Sequence, residues 1–258
     1  MPTTVTLRLR PARPWRPHTG QLHGMLCALF SHPASQHPHA KPFTAWPIRP
    51  DPADPHVHLQ LRCAWLPDDP LPFDHQAATH LRLGSVACAV VDMAESKTSF
   101  AELAGSAPAA SATLTFQSPT YFAHNGADLV TPEPRLIVGS WRRQWNLALP
   151  DDSPLRIDDE LWRQLSRAVQ LAVFDLRTAE MDSGHSHPTT GFVGTATLRV
   201  DRAAPSQLRA AFAALTRFAA YCGTGAQTTH GFGATTSSLT APPPNGAAPS
   251  PRWDPPHG

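Results

Sequence analysis

Four glycines stand close together near the carboxyl end of the sequence. Gly223, Gly225, Gly231 and Gly233 follow an amphipathic segment and precede a short segment of β type. A dinucleotide fingerprint follows a strand and opens a helix, and a Walker loop ends in Gly-Lys-Ser or Gly-Lys-Thr, so this segment fits neither. Successive backbone N–H groups in such a loop can line a concavity for an anion such as phosphate. A helix C-cap followed by a bulged strand explains the glycines equally well, and both interpretations stay open.

Histidines are the second group that could do chemistry, because imidazole titrates near neutral pH and also binds metals. Three pairs have the form His-x-His, which on a strand places both rings on one face: His37 with His39, His56 with His58, and His185 with His187. No acidic residue or cysteine accompanies these pairs at ligand spacing. We therefore predict no metal site and no cofactor.

The charge of the whole chain does not predict a nucleic-acid partner, because 21 Lys and Arg face 20 Asp and Glu, with a formal net charge of +1. A polyanion would have to meet a local basic patch. Arg142 and Arg143 stand beside Trp141 and Trp145 on a predicted helix, and this mixture suits RNA, whose phosphates pair with guanidinium and whose unpaired bases stack. The alternative is a solvated helix face with tryptophans in the core, which we expect for each tryptophan individually.

Composition places the chain among globular proteins, since 41% of its 258 residues are hydrophobic. Its cysteines are widely separated, lie among apolar residues and form no C-x-x-C pair, which predicts buried free thiols in a reducing compartment: Cys27, Cys63, Cys88 and Cys222. No apolar run is long enough to cross a bilayer, and the first residues lack a signal-peptide core. We therefore expect a cytoplasmic protein with no membrane partner.

Hydrophobic periodicity predicts the order strand, helix, strand, strand, helix, strand in the first half of the chain, which is the ferredoxin-like arrangement. Val5, Leu7 and Leu9 alternate with polar residues as in a half-buried strand. Apolar residues at helical spacing predict a helix over 19–30, and a second helix is predicted over 74–83. Strands are predicted from Val57 to Trp65 and, as a buried strand, over 85–93.

The same element order restarts after the alanine-rich stretch near residue 110. The predicted elements are strands at 112–117, 170–181 and 192–200, helices at 135–147, 157–169 and 206–221, and a last strand after the glycines. Ser206 is a candidate N-cap. We therefore predict an α+β fold of two tandem ferredoxin-like modules, 1–110 and 111–240, with antiparallel sheets and helices on one face. Residues 241–258, rich in proline, are predicted to form a disordered tail.

Three stretches carry a resemblance to a known family. They are RFAAYCGTGAQTTHGFGATT from Arg217, TFQSPTYF from Thr115 with LVTPEPRLIVGSWRRQWN after it, and Lys41-Pro42-Phe43-Thr44 behind a histidine-bearing loop. GFVGTATLRV from Gly191 adds a weaker match. In this order they resemble the CRISPR-associated Cas-six-type endoribonucleases of the RAMP superfamily, which cut the repeats of precursor CRISPR RNA.

The resemblance implies two ferredoxin-like modules that bind CRISPR repeat RNA across basic surfaces. It also implies metal-independent cleavage, in which the 2′-hydroxyl of the RNA attacks the adjacent phosphate and leaves a 2′,3′-cyclic phosphate and a 5′-hydroxyl. Such chemistry needs a proton acceptor, a proton donor and a cation beside the phosphorane. Other CRISPR effector subunits and a second copy of the chain stay open as further partners.

The resemblance also implies the site residues. A histidine of the family lies between the first helix and the Lys-Pro-Phe-Thr stretch, where this chain offers His32, His37 and His39; we favour His37 because His39 lies very close to the lysine. Lys41 matches the family's lysine and is the candidate for stabilising the phosphorane. Where some relatives carry a helical tyrosine, alignment on Gly24 places Cys27. The predicted RNA contacts are Gly223, Gly225, Gln227, His230, Gly231, Gly233, Arg142 and Arg143, with Gln227 standing where many relatives have Lys or Arg.

Two rival functions remain. A RAMP-type RNA-binding subunit of a CRISPR effector complex would have the same modules but would not cleave. A metal-dependent hydrolase would lose its activity in EDTA.

Overall fold

The computed structural model describes residues 1–13, 18–30, 41–72, 79–124, 126–182, 188–201 and 203–240. The helices in these ranges are α1 (Thr19–Leu29), α2 (Phe100–Ala104), α3 (Pro134–Ala148), α4 (Asp159–Ala168) and α5 (Ser206–Cys222). The strands are β1 (Thr3–Pro11), β2 (Phe43–Ala45), β3 (Arg49–Pro50), β4 (Leu59–Trp65), β5 (His80–Leu83), β6 (Val86–Lys97), β7 (Ser111–Thr120), β8 (Phe122–His124), β9 (Ala127–Leu129), β10 (Val169–Met181), β11 (Thr189–Val200) and β12 (Thr235–Thr240).

β1 lies in the middle of the first sheet because its alternate side chains are apolar. Val5, Leu7 and Leu9 are fully buried, whereas Arg10 is exposed. The strand order is β2-β4-β1-β6-β5, with β3 also paired to β4, and all these pairings are antiparallel. Helix α1 packs its buried residues, among them Leu22 and Leu26, into the same hydrophobic cluster as β1.

The second sheet repeats this arrangement, with strand order β10-β11-β7-β12 and antiparallel pairing throughout. β7 lies between β11 and β12, as β1 lies between β4 and β6. Helices α3 and α5 bury large aromatic side chains against this sheet, among them Trp141, Trp145, Phe212 and Phe218. The predicted α+β fold of two tandem ferredoxin-like modules is therefore confirmed.

The carboxyl end of α5 is held against the first module. The Thr44 hydroxyl of β2 donates a hydrogen bond to the Tyr221 carbonyl at 2.5 Å. The guanidinium of Arg62 in β4 donates to the Ala220 carbonyl at 3.4 Å and lies 4.4 Å from the centroid of the Trp46 ring. These contacts bring the segment that follows α5 to the surface of the first module.

Three local predictions differ from the structure. Residues 80–83 of the predicted helix over 74–83 form β5, because the turn at Gly84 lets them pair with β6; 73–78 lie outside the described residues. Only Val86 and Cys88 of β6 are buried, so the strand over 85–93 is not a buried strand. Ser206 is the first residue of α5, whose N-cap is Pro205, and no side chain caps it. The predicted tail, 241–258, lies outside the described residues.

Helix α2 was not predicted, although its cap is visible in the sequence. The Ser99 hydroxyl accepts from the Glu102 N–H at 3.0 Å, and the Glu102 carboxylate accepts from the Ser99 N–H at 2.7 Å, which is a capping box. Phe100 and Leu103 pack into the core of the second module. The predicted domain boundary at 110 stays a prediction.

Candidate active site

The glycine-rich loop between α5 and β12 connects the two modules. It leaves α5 at Gly223 and contacts the second module where the Gly225 N–H donates to the Ser140 hydroxyl of α3 at 3.2 Å. It then forms a short 3-10 helix, Thr228–His230, that packs against α1 and β2 of the first module. The loop therefore carries groups of the second module to the surface of the first.

Two of the glycines allow backbone segments to approach closely. Gly225 has φ +85° and Gly233 has φ +66°, which is the left-handed region. A Cβ atom at Gly225 would collide with the carbonyl oxygen of Tyr121, and one at Gly233 with that of Thr224. A side chain at either position would therefore move the loop.

Most backbone donors of the loop bind other protein groups. Gly223 is the C-cap of α5 and donates to the Ala219 carbonyl at 2.9 Å, so the C-cap interpretation holds for this residue. Further N–H groups with protein acceptors are those of Thr224, Gly225, Ala226, His230 and Gly233. Among the described residues, the N–H groups at 227–229 take part in none of these hydrogen bonds. An anion contact by backbone donors is therefore expected at this turn.

Two imidazoles from different modules stack at the end of the loop. The rings of His23 in α1 and His230 have centroids 3.9 Å apart and planes inclined by 7°. The two nitrogens of His23 also have neighbours, because Nδ1 lies 3.4 Å from the Thr229 carbonyl oxygen and Nε2 lies 3.4 Å from Cys27 Sγ. His23 was not predicted from the sequence, although its spacing of four from Cys27 on a helix was a visible signal.

Burial lowers the pKa of His23, and the charge of Lys41 acts in the same direction. The Thr229 carbonyl opposes this effect because it accepts a hydrogen bond from the ring, but burial outweighs it. A lowered pKa keeps this imidazole neutral at neutral pH. It is thus able to accept a proton there.

The histidine-bearing connection of the sequence spans the residues between Phe30 and Lys41. His32, His37 and His39 lie outside the described residues. On one side of the connection, the Phe30 ring lies 5.3 Å from the Phe43 ring, which is 6.0 Å from His23. On its other side, Lys41 is exposed and close enough to influence the pKa of His23. Lys41 therefore lies within electrostatic range of His23, on which His230 stacks, and the roles of the three histidines stay predictions.

Gln227 begins the 3-10 helix in a left-handed conformation, with φ 52°. Its side-chain oxygen is buried and has no hydrogen-bond partner in the part of the chain that the structure describes. A buried polar atom without a partner is unfavourable unless a ligand or water satisfies it.

The two predicted arginine contacts lie in different environments. Arg142 donates to the Ile157 carbonyl at 3.0 Å, forms an ion pair with Asp159 at 2.6 Å and lies 5.6 Å from the centroid of the Trp162 ring. Arg143 is exposed beside a cavity. RNA contact by either residue stays a prediction, but the guanidinium of Arg142 already has protein partners.

Both neighbouring tryptophans belong to the core, as expected. Trp141 Nε1 donates to the Thr224 hydroxyl of the loop at 2.9 Å, and Trp145 Nε1 donates to the Leu155 carbonyl at 2.8 Å. Trp141 thereby ties α3 to the start of the glycine-rich loop.

Among the described residues, no group of three or more His, Cys, Asp or Glu side chains could hold a metal ion. His58, from one of the His-x-His pairs, lies 3.3 Å from Asp54 and 3.5 Å from Arg8. Within the same residues, no helix combines the length and the apolar character that a membrane span needs.

Comparisons with known proteins agree with this arrangement. The family model for the CRISPR-associated endoribonuclease Cas6 matches residues 114–235, just under half of the chain. A product complex of a Thermus thermophilus Cas6 protein is similar with a TM-score of 0.79 and 27% identity, covering 92% of this chain and 100% of that one. A further structure of T. thermophilus Cas6 gives a TM-score of 0.65 and 26% identity over 92% and 98% of the two chains.

A different Cas6 product complex has a TM-score of 0.77 at 23% identity over 92% and 100% of the two chains, and at this identity it supports the fold alone. A search among curated proteins gives no match. The resemblance predicted from the sequence motifs is confirmed.

Proposed function

We propose that this chain, whose likeness to the Cas6 endoribonucleases is established in sequence family and in fold, binds CRISPR repeat RNA and cleaves precursor CRISPR RNA. The proposal rests above all on the 27% identity to a Cas6 product complex that covers 92% of this chain and all of that one. The site supports it, because His23 of the first module stacks on His230 in the loop of the second, within electrostatic range of Lys41.

In the proposed reaction the 2′-oxygen of one nucleotide attacks the adjacent phosphorus. The bond from this oxygen to phosphorus forms while the bond from phosphorus to the 5′-oxygen breaks. The 2′-hydroxyl loses its proton to a general base, and the leaving 5′-oxygen receives one from a general acid. The products are a 2′,3′-cyclic phosphate and a 5′-hydroxyl. Two proton transfers and a cation beside the phosphorane suffice for this reaction, so it needs no metal ion.

His37 is our candidate for one of the proton transfers, with His32 and His39 as the alternatives on the same connection. At one end of that connection Phe30 packs on Phe43, which is next to His23, and at the other Lys41 acts on the pKa of His23, which supports an approach of its histidines to this region. Lys41 is exposed at this place and would stabilise the negative charge of the phosphorane.

His23 would supply the second imidazole. Its lowered pKa favours the neutral form, in which Nδ1–H donates to the Thr229 carbonyl and Nε2, beside Cys27 Sγ, would accept the 2′-hydroxyl proton. A histidine of the connection would donate to the leaving oxygen. The stack with His230 restrains the His23 ring, so that the imidazole needs little reordering when RNA binds. The backbone donors at 227–229, which take part in none of the loop's hydrogen bonds among the described residues, would contact a phosphate beside this ring.

The test uses labelled repeat RNA, EDTA and a matched substrate with a 2′-deoxy sugar at the cut position. We expect cleavage of the ribose substrate to continue in EDTA and cleavage of the deoxy substrate to stop, because the attacking oxygen is missing. Loss of cleavage in EDTA would show a metal-dependent hydrolase. Tight binding with no cleavage over a range of pH and salt would instead identify a non-catalytic RNA-binding subunit.

A further inference from the structure

We propose that a cavity between α3, α4, β8 and the start of the glycine-rich loop binds one unpaired nucleotide of the RNA. In this subsite Trp162 contacts the base, while Arg135 and Arg143 bind the phosphate. The inference rests on the proposed function for the identity of the polymer, and it adds a place where RNA outside the duplex is held.

The cavity has a volume of about 320 Å³, within the range of sites that hold small organic ligands. Arg135, Gly139 and Arg143 follow one another at intervals of four residues, so they line one face of α3. His124 of β8 and Gly225 of the loop lie on other walls. The cavity therefore continues directly into the loop that reaches His230.

Among the described residues, the charges in this cavity have no counter-ions. Arg135 and Arg143 are both exposed, and no described carboxylate lies within ion-pair distance of either guanidinium. Arg135 uses only its Nε for a hydrogen bond, to the Ser166 carbonyl at 3.1 Å, and no acidic residue lines the cavity. Two guanidinium groups in this state favour a phosphate, which each can bind through two parallel hydrogen bonds.

An adjoining cavity of about 390 Å³ provides the contrast. Two of its arginines are neutralised by protein carboxylates, since Arg142 pairs with Asp159 and Arg156 pairs with Asp151 at 2.7 Å. The third, Arg143, lines both cavities, whereas Arg135 lines only the first. Two arginines without a carboxylate partner among the described residues therefore meet only in the first cavity, which assigns the phosphate to Arg135 and Arg143.

An aromatic ring gives the cavity affinity for a base. Trp162 is half-buried, and the edge of its indole lies against Gly139, where a Cβ atom would sit 3.3 Å from the ring. Phe122 and Leu136 add apolar surface to the lining. An indole beside free guanidinium groups recognises the ring and the phosphate of a nucleotide together. A base can enter such a cavity only when it is unpaired, so the occupant lies outside the RNA stem.

The test fills the cavity without removing any charge. Ala123 is exposed on the cavity wall, and Ala123→Phe would place a ring in the space for the base. The matched control is Ala127→Phe, since Ala127 is exposed on the partner strand β9 and does not line the cavity. Arg143→Ala is paired in the same way with Arg167→Ala, which removes an equal charge from an exposed position of α4 outside the cavity.

Each full-length variant is titrated with repeat RNAs in which one unpaired nucleotide at a time is replaced by an abasic site. We expect one abasic position to weaken binding to the unmodified protein about tenfold, the usual scale for loss of one stacked base. Ala123→Phe should weaken binding of the intact RNA as much as the abasic site does. It should also abolish the effect of that abasic position, because both changes remove the same contact. In Ala127→Phe and Arg167→Ala, that abasic position should still weaken binding.

The nucleotide subsite is wrong if no abasic position loses its effect in Ala123→Phe, or if the two phenylalanine variants bind RNA equally. Single-turnover cleavage at saturating protein separates this outcome from failure of the proposed function. If the RNA is cut normally but no abasic position loses its effect in Ala123→Phe, only the subsite is contradicted. Absence of cleavage by the unmodified protein contradicts the nuclease.

Discussion

The two modules share a topology but differ in what they contribute to the site. The first module provides His23, Lys41 and the connection between them, which are groups that titrate or carry charge. Its core consists mostly of aliphatic residues. The second provides the loop and the arginine-lined face of α3 on a core rich in tryptophan and phenylalanine. In the proposed mechanism the first module would supply reacting side chains, and the second would position the loop through the hydrogen bonds from Trp141 to Thr224 and from Gly225 to Ser140.

The largest effect should come from the connection of the first module. Replacement of His32, His37 and His39 together by alanine should lower the cleavage rate about 10²- to 10⁴-fold, because general acid–base catalysis contributes about that much. RNA affinity should change little, because the replaced imidazoles would act in proton transfer and the proposed phosphate contacts lie in the second module. Single-turnover cleavage and RNA titration measure the two effects. A rate that survives the triple replacement would place the chemistry elsewhere.

The next effect concerns the cation of the first module. Lys41→Ala should slow cleavage about 10²-fold, the usual loss when a group that stabilises developing negative charge is removed. The control is Lys97→Ala, since Lys97 is also exposed on the first module but forms an ion pair with Glu95 at 3.2 Å. Equal losses in the two variants would show that only the net charge matters.

A smaller effect tests how the second module positions the loop. Trp141→Phe removes the hydrogen bond to the Thr224 hydroxyl and should lower the free energy of unfolding by about 1–3 kcal/mol. Trp145→Phe, one helical turn further along α3, removes a comparable bond to the Leu155 carbonyl. Denaturant unfolding should show similar losses, whereas RNA binding should weaken only in Trp141→Phe. Equal RNA affinity in both variants would contradict positioning through Trp141.

The smallest effect is the pH dependence that His23 introduces. Its pKa is lower in the folded chain than in the unfolded chain, so between the two values the unfolded chain binds more protons. The free energy of unfolding should therefore rise with pH through the window just below about 6.5, and the stabilisation is lost as the pH falls. His23→Gln should remove this rise, measured by denaturant unfolding at about pH 5 and about pH 8.

The exposed His56 of the same module provides the control, and His56→Gln should keep the rise. An unchanged pH dependence in His23→Gln would show that another group titrates in this window.

Local patterns predicted most elements well, and the exceptions are informative. The alternation around Leu7 identified β1, and the spacing of Phe212 and Phe218 identified α5. The helix predicted over 74–83 was wrong at 80–83, because pairing with β6 decided the conformation of these residues. Ser206 has the right side chain for a cap, but the chain enters α5 through Pro205 instead.

The site was predicted in part for a similar reason. Lys41 and the glycine-rich loop stand in contiguous motifs, so the resemblance could identify them, and the structure places His230 against His23 and Lys41 within electrostatic range of that ring. His23 had no motif around it. Its importance comes from the stack with His230, a residue far away in the sequence, and from burial that changes its pKa.

By itself, the sequence determined the period of each strand and helix, the glycines that the loop requires and the kinds of chemistry available, since these depend on the order of neighbouring residue types. The tertiary structure alone decided which arginines keep their charge free, which tryptophan reaches the loop and which histidine meets His230. These properties depend on distances between segments remote in sequence, and such distances are set by the packing of the two modules.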